Sequence, residues 1–203
     1  MPRPHGLTKA DWERATAFHE AGHAALASRL GRYFRYVTIE PTETSLGSVR
    51  NSGAPKWLLR QTELTSISPS QRLFLEDHVI IAFAGTIAEA RFYRRFHGLT
   101  SSTKRAIDRR LRHGPTSDYA IAGNLMFEFL CRAGSVKAAA CYSKWCECVS
   151  EHLVGLEWRS ITALATTLVE RKTIKHADAV KILFRMAPAV PPGREKGERI
   201  SCP

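Results

Sequence analysis

Residues 19–23 read H-E-A-G-H, and this run constrains the fold more than any other feature of the chain. Two histidines four positions apart lie on the same side of the backbone when the segment between them is helical. The flanks support a helix over residues 9–30, because Thr8 and Asp11 match a capping box and Gly31 suits its C-terminal end. Small residues surround the histidines, which predicts that a second element approaches this helix closely: Ala21, Gly22, Ala24 and Ala25.

The spacing of His19 and His23 is typical of a zinc site. Imidazoles one helical turn apart can bind a single Zn²⁺ at metal–nitrogen distances of about 2.0–2.1 Å. Glu20 is offset by one residue, so we expect it beside the metal, where it can act as a general base on water. Alternatively, the motif has arisen by chance and the histidines are ordinary core residues. The helical context and the small neighbours favour the metal interpretation.

A third ligand must come from elsewhere in the chain, and two carboxylates are candidates. Asp118 opens a helix predicted over about 119–131, where an acidic side chain can also simply complement the helix dipole. Glu89 lies in an apolar helix that is predicted to begin at Pro69. A carboxylate in such a stretch needs a partner, which could be the metal, a ligand histidine or an arginine.

Two short segments after the first helix have the pattern of strands. Residues 36–40 are alternating and β-branched, and residues 46–50 form a second candidate, so a small hairpin or sheet beside the helix is expected. Gly47, Ser48 and Val49 are candidates for an exposed strand edge that holds a substrate backbone by β-augmentation. The alternative is a purely structural hairpin. Residues 51–67 are predicted to be a loop with a helical turn at 57–59.

The remainder of the chain is predicted to be helical, over residues 136–153, 158–172 and 177–186. A break is expected at Gly155, a link is expected over 172–175, and Val180, Leu183 and Phe184 are expected to form the apolar face of the last helix. The fold class is therefore mainly α, with a small β-sheet or hairpin next to the H-E-x-x-H helix. We expect an N-terminal extension over 1–8, one domain over 9–187 and a disordered tail over 188–203.

The chain is strongly basic, with 30 Lys and Arg against 19 Asp and Glu. Residues 91–113 contain eight of the basic side chains and one acid, and such a segment can bind nucleic acid, an acidic substrate or a partner subunit. It can also be a solvated face. Nucleic acid is the weakest of these interpretations, because aromatic residues do not alternate with the charges and no nucleic-acid-binding motif is present.

Five cysteines without a secretory signal indicate reduced thiols, and therefore a cytoplasmic protein. Cys146, Cys148 and His152 could suggest a second metal site, but there is no C-x-x-C pair, and we reject it. The longest apolar-rich stretch, residues 79–90, contains Glu89 and is too short to cross a bilayer. The chain is therefore expected to be soluble, without a membrane segment.

Several motifs together resemble the peptidase domain of the FtsH-type AAA+ zinc proteases. Residues 19–24 read H-E-A-G-H-A, as in that family's signature, and a strand-like V-T-I-E-P follows at 37–41. The family's A-G-R-x-A-E-E is similar to A-G-T-I-A-E-A at 84–90, and its G-A-S-N-D is similar to G-P-T-S-D at 114–118. Residues 168–174 resemble its closing helix–turn–helix, so the likeness covers about residues 9–187. Ala90 departs from the second acid of the A-E-E pair, and 116–117 read T-S in place of S-N.

The resemblance implies a zinc endopeptidase in which His19, His23 and Asp118 bind Zn²⁺ and Glu20 is the base. Glu89 would orient a ligand, or would replace Asp118 as the third ligand. The family's P-loop and membrane segment do not occur in this sequence, so we expect a stand-alone peptidase domain that cuts unfolded or specific partner proteins. A separate unfoldase or an acidic partner fits this picture, and six-fold rings in the family make a homo-oligomer an expectation too. The alternative is a non-catalytic, zinc-containing scaffold with a basic interaction loop.

Overall fold

The computed structural model describes residues 8–41, 47–50, 68–96, 101, 105, 118–125 and 136–186. Most of these residues are helical, and three short strands form one sheet, which confirms the predicted fold class. The predicted turn at 57–59, the tail at 188–203 and all but one residue of the N-terminal extension lie outside the described residues. The elements are, in order, α1 (Lys9–Arg29), β1 (Tyr36–Thr38), β2 (Ser48–Arg50), α2 (Pro69–Phe96), α3 (Asp118–Leu125), α4 (Val136–Leu156), α5 (Trp158–Arg171), β3 (Thr173–Lys175) and α6 (His176–Met186).

Helix α1 begins and ends where its local sequence predicts. The Asp11 amide donates to Oγ1 of Thr8 at 3.1 Å, and the Thr8 amide donates to Oδ2 of Asp11 at 3.2 Å, which completes the capping box. At the other end Gly31 has a φ of +67°, and the amide of Arg32 donates to the carbonyl of Ala27 at 2.7 Å. This is a Schellman ending, in which glycine takes the left-handed conformation at little cost.

Helix α1 is the centre of the fold and packs mainly against α2 and α5. At Gly22 the approach of α2 is so close that a Cβ atom would lie 2.7 Å from the carbonyl oxygen of Ala84 and 2.8 Å from Cβ of Ala88. The close approach predicted from the small residues around the histidines is therefore confirmed. It sets the distance between the helix that bears the H-E-x-x-H motif and the helix that bears Glu89.

An aromatic stack also joins α1 to α2 and α5. The ring of Phe18 stacks on Phe92 with centroids 4.7 Å apart and on Trp158 with centroids 5.3 Å apart. Arg91 lies over the indole of Trp158 in the same stack, with its guanidinium carbon 4.7 Å from the ring centroid. The first cation of the basic segment therefore has a packing role.

The sheet has the order β2-β1-β3, and both pairings are antiparallel. Val37 of β1 pairs with Val49 on one side and with Ile174 on the other. The predicted first two strands are confirmed but shorter, at three residues each. The prediction of a simple link over 172–175 was wrong, because residues 173–175 form strand β3, which pairs with β1. Lys172, with a φ of 63°, ends α5 directly before this strand.

Two further details of the helices differ from prediction. Helix α4 continues through Gly155 to Leu156, so that glycine does not end it. Phe184 is 72% exposed, whereas Leu183 beside it is buried. Consecutive positions on a helix are about 100° apart, so a face centred on Leu183 excludes the next residue.

Among the described residues, no helix combines the length and apolar character that crossing a membrane requires. In this part of the chain, Cys141 and Cys148 are exposed free thiols.

Candidate metal centre

The two histidines of the motif project from one face of α1, as their spacing requires. Their Nε2 atoms are 3.1 Å apart, and the ring planes meet at 78°. Asp118, the first residue of α3, reaches the same point from across the fold. Its Oδ2 atom lies 3.0 Å from Nε2 of His19 and 3.5 Å from Nε2 of His23. Among the described residues, His19, His23 and Asp118 are the group of His, Cys, Asp or Glu residues whose potential ligand atoms lie close enough together to bind one metal ion.

The spacing of these three atoms fits a tetrahedral ion. A ligand distance of about 2.0–2.1 Å gives tetrahedral edges of about 3.3 Å between ligand atoms. The three observed separations, 3.0, 3.1 and 3.5 Å, lie on both sides of that value. Two imidazole nitrogens and one carboxylate oxygen are a donor set that Zn²⁺ accepts, with the fourth position left for water or substrate. His19, His23 and Asp118 therefore fit a zinc ion.

The outer ring nitrogens determine which atoms face the centre. Nδ1 of His23 lies 2.8 Å from the carbonyl oxygen of Ile81, which can only accept a hydrogen bond, so this Nδ1 carries the proton. Nδ1 of His19 lies 2.9 Å from Oε2 of Glu89 and donates to it in the same way. Each neutral ring therefore directs the lone pair of Nε2 inward, where it meets the carboxylate of Asp118. Three acceptors at one point require a cation or a proton between them.

The electrostatics of the centre lead to the same conclusion. Burial lowers the pKa of His23, but the carboxylate of Asp118 outweighs burial, and the pKa of this imidazole is raised. Burial raises the pKa of Asp118, but His23 and His19 outweigh it and hold that pKa well below its usual value. The carboxylate is therefore ionised and the site attracts positive charge.

Glu89 does not join the group of converging atoms. Its side chain is buried, and Oε2 contacts the outer nitrogen of His19 rather than the centre. Of the three partners that the sequence left open for Glu89, the structure shows a histidine, His19, which is one of the candidate ligands. Asp118, in contrast, lies at the centre with His19 and His23.

Sequence reasoning missed two residues of α2 that contact the same ligands. Thr86 is buried, and its Oγ1 donates to Oδ2 of Asp118 at 3.2 Å. At Gly85 a Cβ atom would lie 2.6 Å from Cε1 of His23, so only glycine leaves room for this ring. Both residues lie one turn before Glu89, and that helical spacing is the signal that could have identified them. Helix α2 thus contacts all three candidate ligands.

Glu20 is buried beside the centre, where the motif predicts it. Burial raises the pKa of its carboxyl group, although His19 and His23 nearby oppose the increase. In the part of the chain that the structure describes, its Oε2 atom has no hydrogen-bond partner. A buried carboxylate oxygen with no donor is suited to accept a proton.

The predicted substrate strand lies against Glu20. A Cβ atom at Gly47 would be 2.8 Å from Cγ of Glu20. The backbone amide of Val49 donates a hydrogen bond to the Glu20 carboxylate, which acts against the effect of burial on the pKa of Glu20. Ser48 lies between them and pairs with Thr38 of β1. Strand β2 is at the end of the strand order, so its outer edge is not paired within the described residues.

The other sequence candidates receive little support or lie outside the described residues. The converging group found among those residues does not include Cys146, Cys148 or His152. Most of the basic segment, including residues 97–100, 102–104 and 106–113, is outside the described residues. Its proposed binding role stays a prediction.

No family model matches the chain, and comparison with curated proteins gives no match. The likeness to FtsH-type peptidases therefore stays a hypothesis based on the motifs.

Proposed function

We propose that the protein is a zinc-dependent endopeptidase with His19, His23 and Asp118 as ligands and Glu20 as general base. The observation that carries the proposal is the convergence of Oδ2 of Asp118 on both Nε2 atoms, at 3.0 and 3.5 Å. A second observation is the burial of Glu20 beside these atoms, with an Oε2 atom that has no hydrogen-bond partner among the described residues. A metal site without hydrolytic function needs the histidines but does not need this carboxylate.

When bound, Zn²⁺ supplies a Lewis acid for a peptide carbonyl and lowers the pKa of water. The remaining steps belong to the chain. Glu20 accepts a proton from the attacking water on its carboxylate and then donates this proton to the leaving amine. Burial raises the pKa of Glu20, and this suits both steps. A carboxylate with a higher pKa is a stronger base toward water, and its protonated form is then available to donate to the amine. Glu89 and Ile81 hold the two imidazoles in the required tautomer.

The edge of β2 is the proposed binding surface for the substrate backbone. An extended peptide can add to an unpaired strand edge through main-chain hydrogen bonds, with little demand on its sequence. Gly47, Ser48 and Val49 would hold the peptide next to Glu20, since Gly47 and Val49 both contact that side chain. This geometry favours a substrate that is already extended.

The substrates that fit are unfolded segments or a recognised partner protein. The 203 residues contain no P-loop motif, so we propose that a separate unfoldase prepares any folded substrate. The free thiols of Cys141 and Cys148 support a reducing, cytoplasmic setting. The motif likeness supports an FtsH-like peptidase domain, and self-association would be part of that likeness. A membrane or nucleic-acid partner is not part of the proposal.

The test compares cleavage of an unfolded, fluorescently labelled protein without ATP by the wild type, Glu20→Gln and Glu13→Gln. Glu13 lies on the same helix and pairs with Lys172 at the surface, so its substitution makes the same chemical change away from the centre. We expect Glu20→Gln to abolish cleavage while retaining zinc, and Glu13→Gln to cleave as the wild type does. Equal cleavage by the wild type and Glu20→Gln would overturn the role of Glu20. A zinc-loaded wild type that cleaves no unfolded protein would favour the scaffold.

A further inference from the structure

A hydrogen bond outside the metal centre joins the helix that carries Asp118 to α4. The hydroxyl of Tyr119 donates to Oε1 of Glu147 at 2.6 Å. Tyr119 directly follows Asp118 in α3, and Glu147 is a buried residue of α4. Neither residue belongs to the resemblance motifs.

The Tyr119–Glu147 contact has the features of a strong hydrogen bond. Glu147 is 6% exposed, and a buried carboxylate is costly unless it is well bonded. Its second oxygen, Oε2, accepts from Nζ of Lys144 at 2.8 Å, so each carboxylate oxygen has a donor. An O–H donor at 2.6 Å from a carboxylate is in the range of charge-assisted hydrogen bonds. The Tyr119 hydroxyl therefore has a fixed acceptor within the fold.

Helix α3 needs such a fixed point because it is short and carries a ligand. Its eight residues begin at Asp118, whose Oδ2 must be positioned to within about 0.5 Å for productive metal geometry. Besides the hydrogen bond to Glu147, the ring of Tyr119 packs on Phe83 of α2 with centroids 5.0 Å apart. Tyr119 thus connects the start of α3 to two larger helices, immediately beside the ligand.

We propose that the Tyr119–Glu147 hydrogen bond positions Asp118, and that metal affinity depends on it. Tyr119 and Glu147 are positioning residues, since they act through the backbone of α3 rather than on the metal or the substrate. The inference rests on the proposed function, because it takes Asp118 as a metal ligand. Removal of the hydroxyl frees the start of α3 while the ring remains packed on Phe83, so the ligand is present but less well placed.

The test measures the Zn²⁺ dissociation constant by competition with a chromophoric chelator, together with the visible spectrum of the Co²⁺-loaded protein. The variant is Tyr119→Phe, and the matched control is Tyr142→Phe. Tyr142 of α4 also donates its hydroxyl to a carboxylate, Glu76 of α2. Glu76 precedes Thr86 by ten residues, about 15 Å along a helix, so the control removes the same kind of bond far from Asp118.

We expect Tyr119→Phe to weaken zinc binding about tenfold and to alter the Co²⁺ spectrum, as the loss of an outer-shell contact does in other sites. Tyr142→Phe should change neither, although both variants should lower the stability of the metal-free protein. If Tyr119→Phe folds poorly, Glu147→Gln gives the second measurement, because it retains an oxygen acceptor but loses the charge, and it should bind zinc more weakly than the wild type and Tyr142→Phe do.

Three results would overturn the inference. Equal zinc affinity in Tyr119→Phe and the wild type would overturn it alone and leave the proposed function intact. An equal loss in Tyr119→Phe and Tyr142→Phe would show general loosening rather than positioning of Asp118. A wild-type protein that binds no zinc would overturn both the proposed function and this inference.

Discussion

The Nδ1 atom of His19 lies 2.9 Å from Oε2 of Glu89, and this contact fixes both the tautomer and the direction of the ring. It is one of three hydrogen bonds between α2 and the candidate ligands in the described part of the chain. The carbonyl of Ile81 accepts from His23, and Thr86 donates to Asp118. A single helix therefore orients ligands that come from two other helices, and the close approach at Gly22 keeps it in place.

Glu89→Gln should weaken zinc binding about tenfold without unfolding the protein, because the amide oxygen still accepts from His19 but no longer carries charge. The measurement is a chelator competition titration. Glu76→Gln, a similar change on the same helix that affects Tyr142 instead, should bind zinc as the wild type does. Equal affinity in Glu89→Gln and Glu76→Gln would show that Glu89 does not act on the metal through His19.

Gly85→Ala should weaken zinc binding and retain the fold. The new methyl group would lie 2.6 Å from Cε1 of His23, and the ring must move away from the centre. We expect a loss of about 10–100-fold in zinc affinity with an unchanged far-UV circular dichroism spectrum. Gly123→Ala is the control, since a Cβ atom at Gly123 meets nothing within 4 Å. Normal zinc affinity in Gly85→Ala would contradict the observed packing of His23.

Gly22→Ala should lower the free energy of unfolding, in addition to any effect on zinc affinity. Its methyl group would meet backbone atoms of Ala84 and Cβ of Ala88, which cannot rotate away, so α1 and α2 must separate. Overpacking of this kind costs about 1–3 kcal/mol of unfolding free energy. Urea denaturation of the metal-free protein measures it, and Gly123→Ala should be slightly stabilised by comparison. An unchanged midpoint for Gly22→Ala would contradict the close helix contact.

The pH dependence of stability should include a contribution from His78. Burial lowers the pKa of this histidine below its ordinary value of 6.5, and Arg32 nearby acts in the same direction, although the hydrogen bond to Phe74 opposes them. Below pH 6.5 the unfolded chain then binds more protons at this position than the folded protein does, so the unfolding free energy falls as the pH falls.

His78→Gln should reduce this acid sensitivity, because glutamine does not titrate. Urea denaturation of metal-free wild type and variant at a series of pH values on both sides of 6.5 measures the difference. The histidines of the metal centre are present in both proteins, so their contribution cancels. Parallel curves for the two proteins would mean that His78 is not kept neutral by the fold.

Local signals in the sequence were sufficient for much of the fold. The limits of α1 follow from Thr8, Asp11 and Gly31, which act within one turn of each helix end. The close approach at Gly22 follows from the size of the residue alone. In contrast, β3 is three residues long and exists because it pairs with β1, more than 130 positions earlier in the chain, and such a pairing leaves no local pattern.

The candidate site also has a part that the sequence predicts and a part that depends on tertiary contacts. The relation of His19, Glu20 and His23 is a property of one helix, so the sequence alone predicts it. The choice between Asp118 and Glu89 depends on how three helices meet, and both residues are carboxylates in plausible positions. The contacts of Thr86 and Tyr119 are also tertiary, because each connects side chains that are distant in sequence.

The most direct test of the central claim is restoration of cleavage by metal. Zinc is removed with a chelator, and cleavage of an unfolded labelled protein is measured as Zn²⁺ is added back, with bound zinc determined in the same samples. We predict no cleavage by the metal-free protein and activity that rises in proportion to bound zinc, with a maximum at one ion per chain. Full cleavage without metal, or none with one zinc bound, would contradict the account.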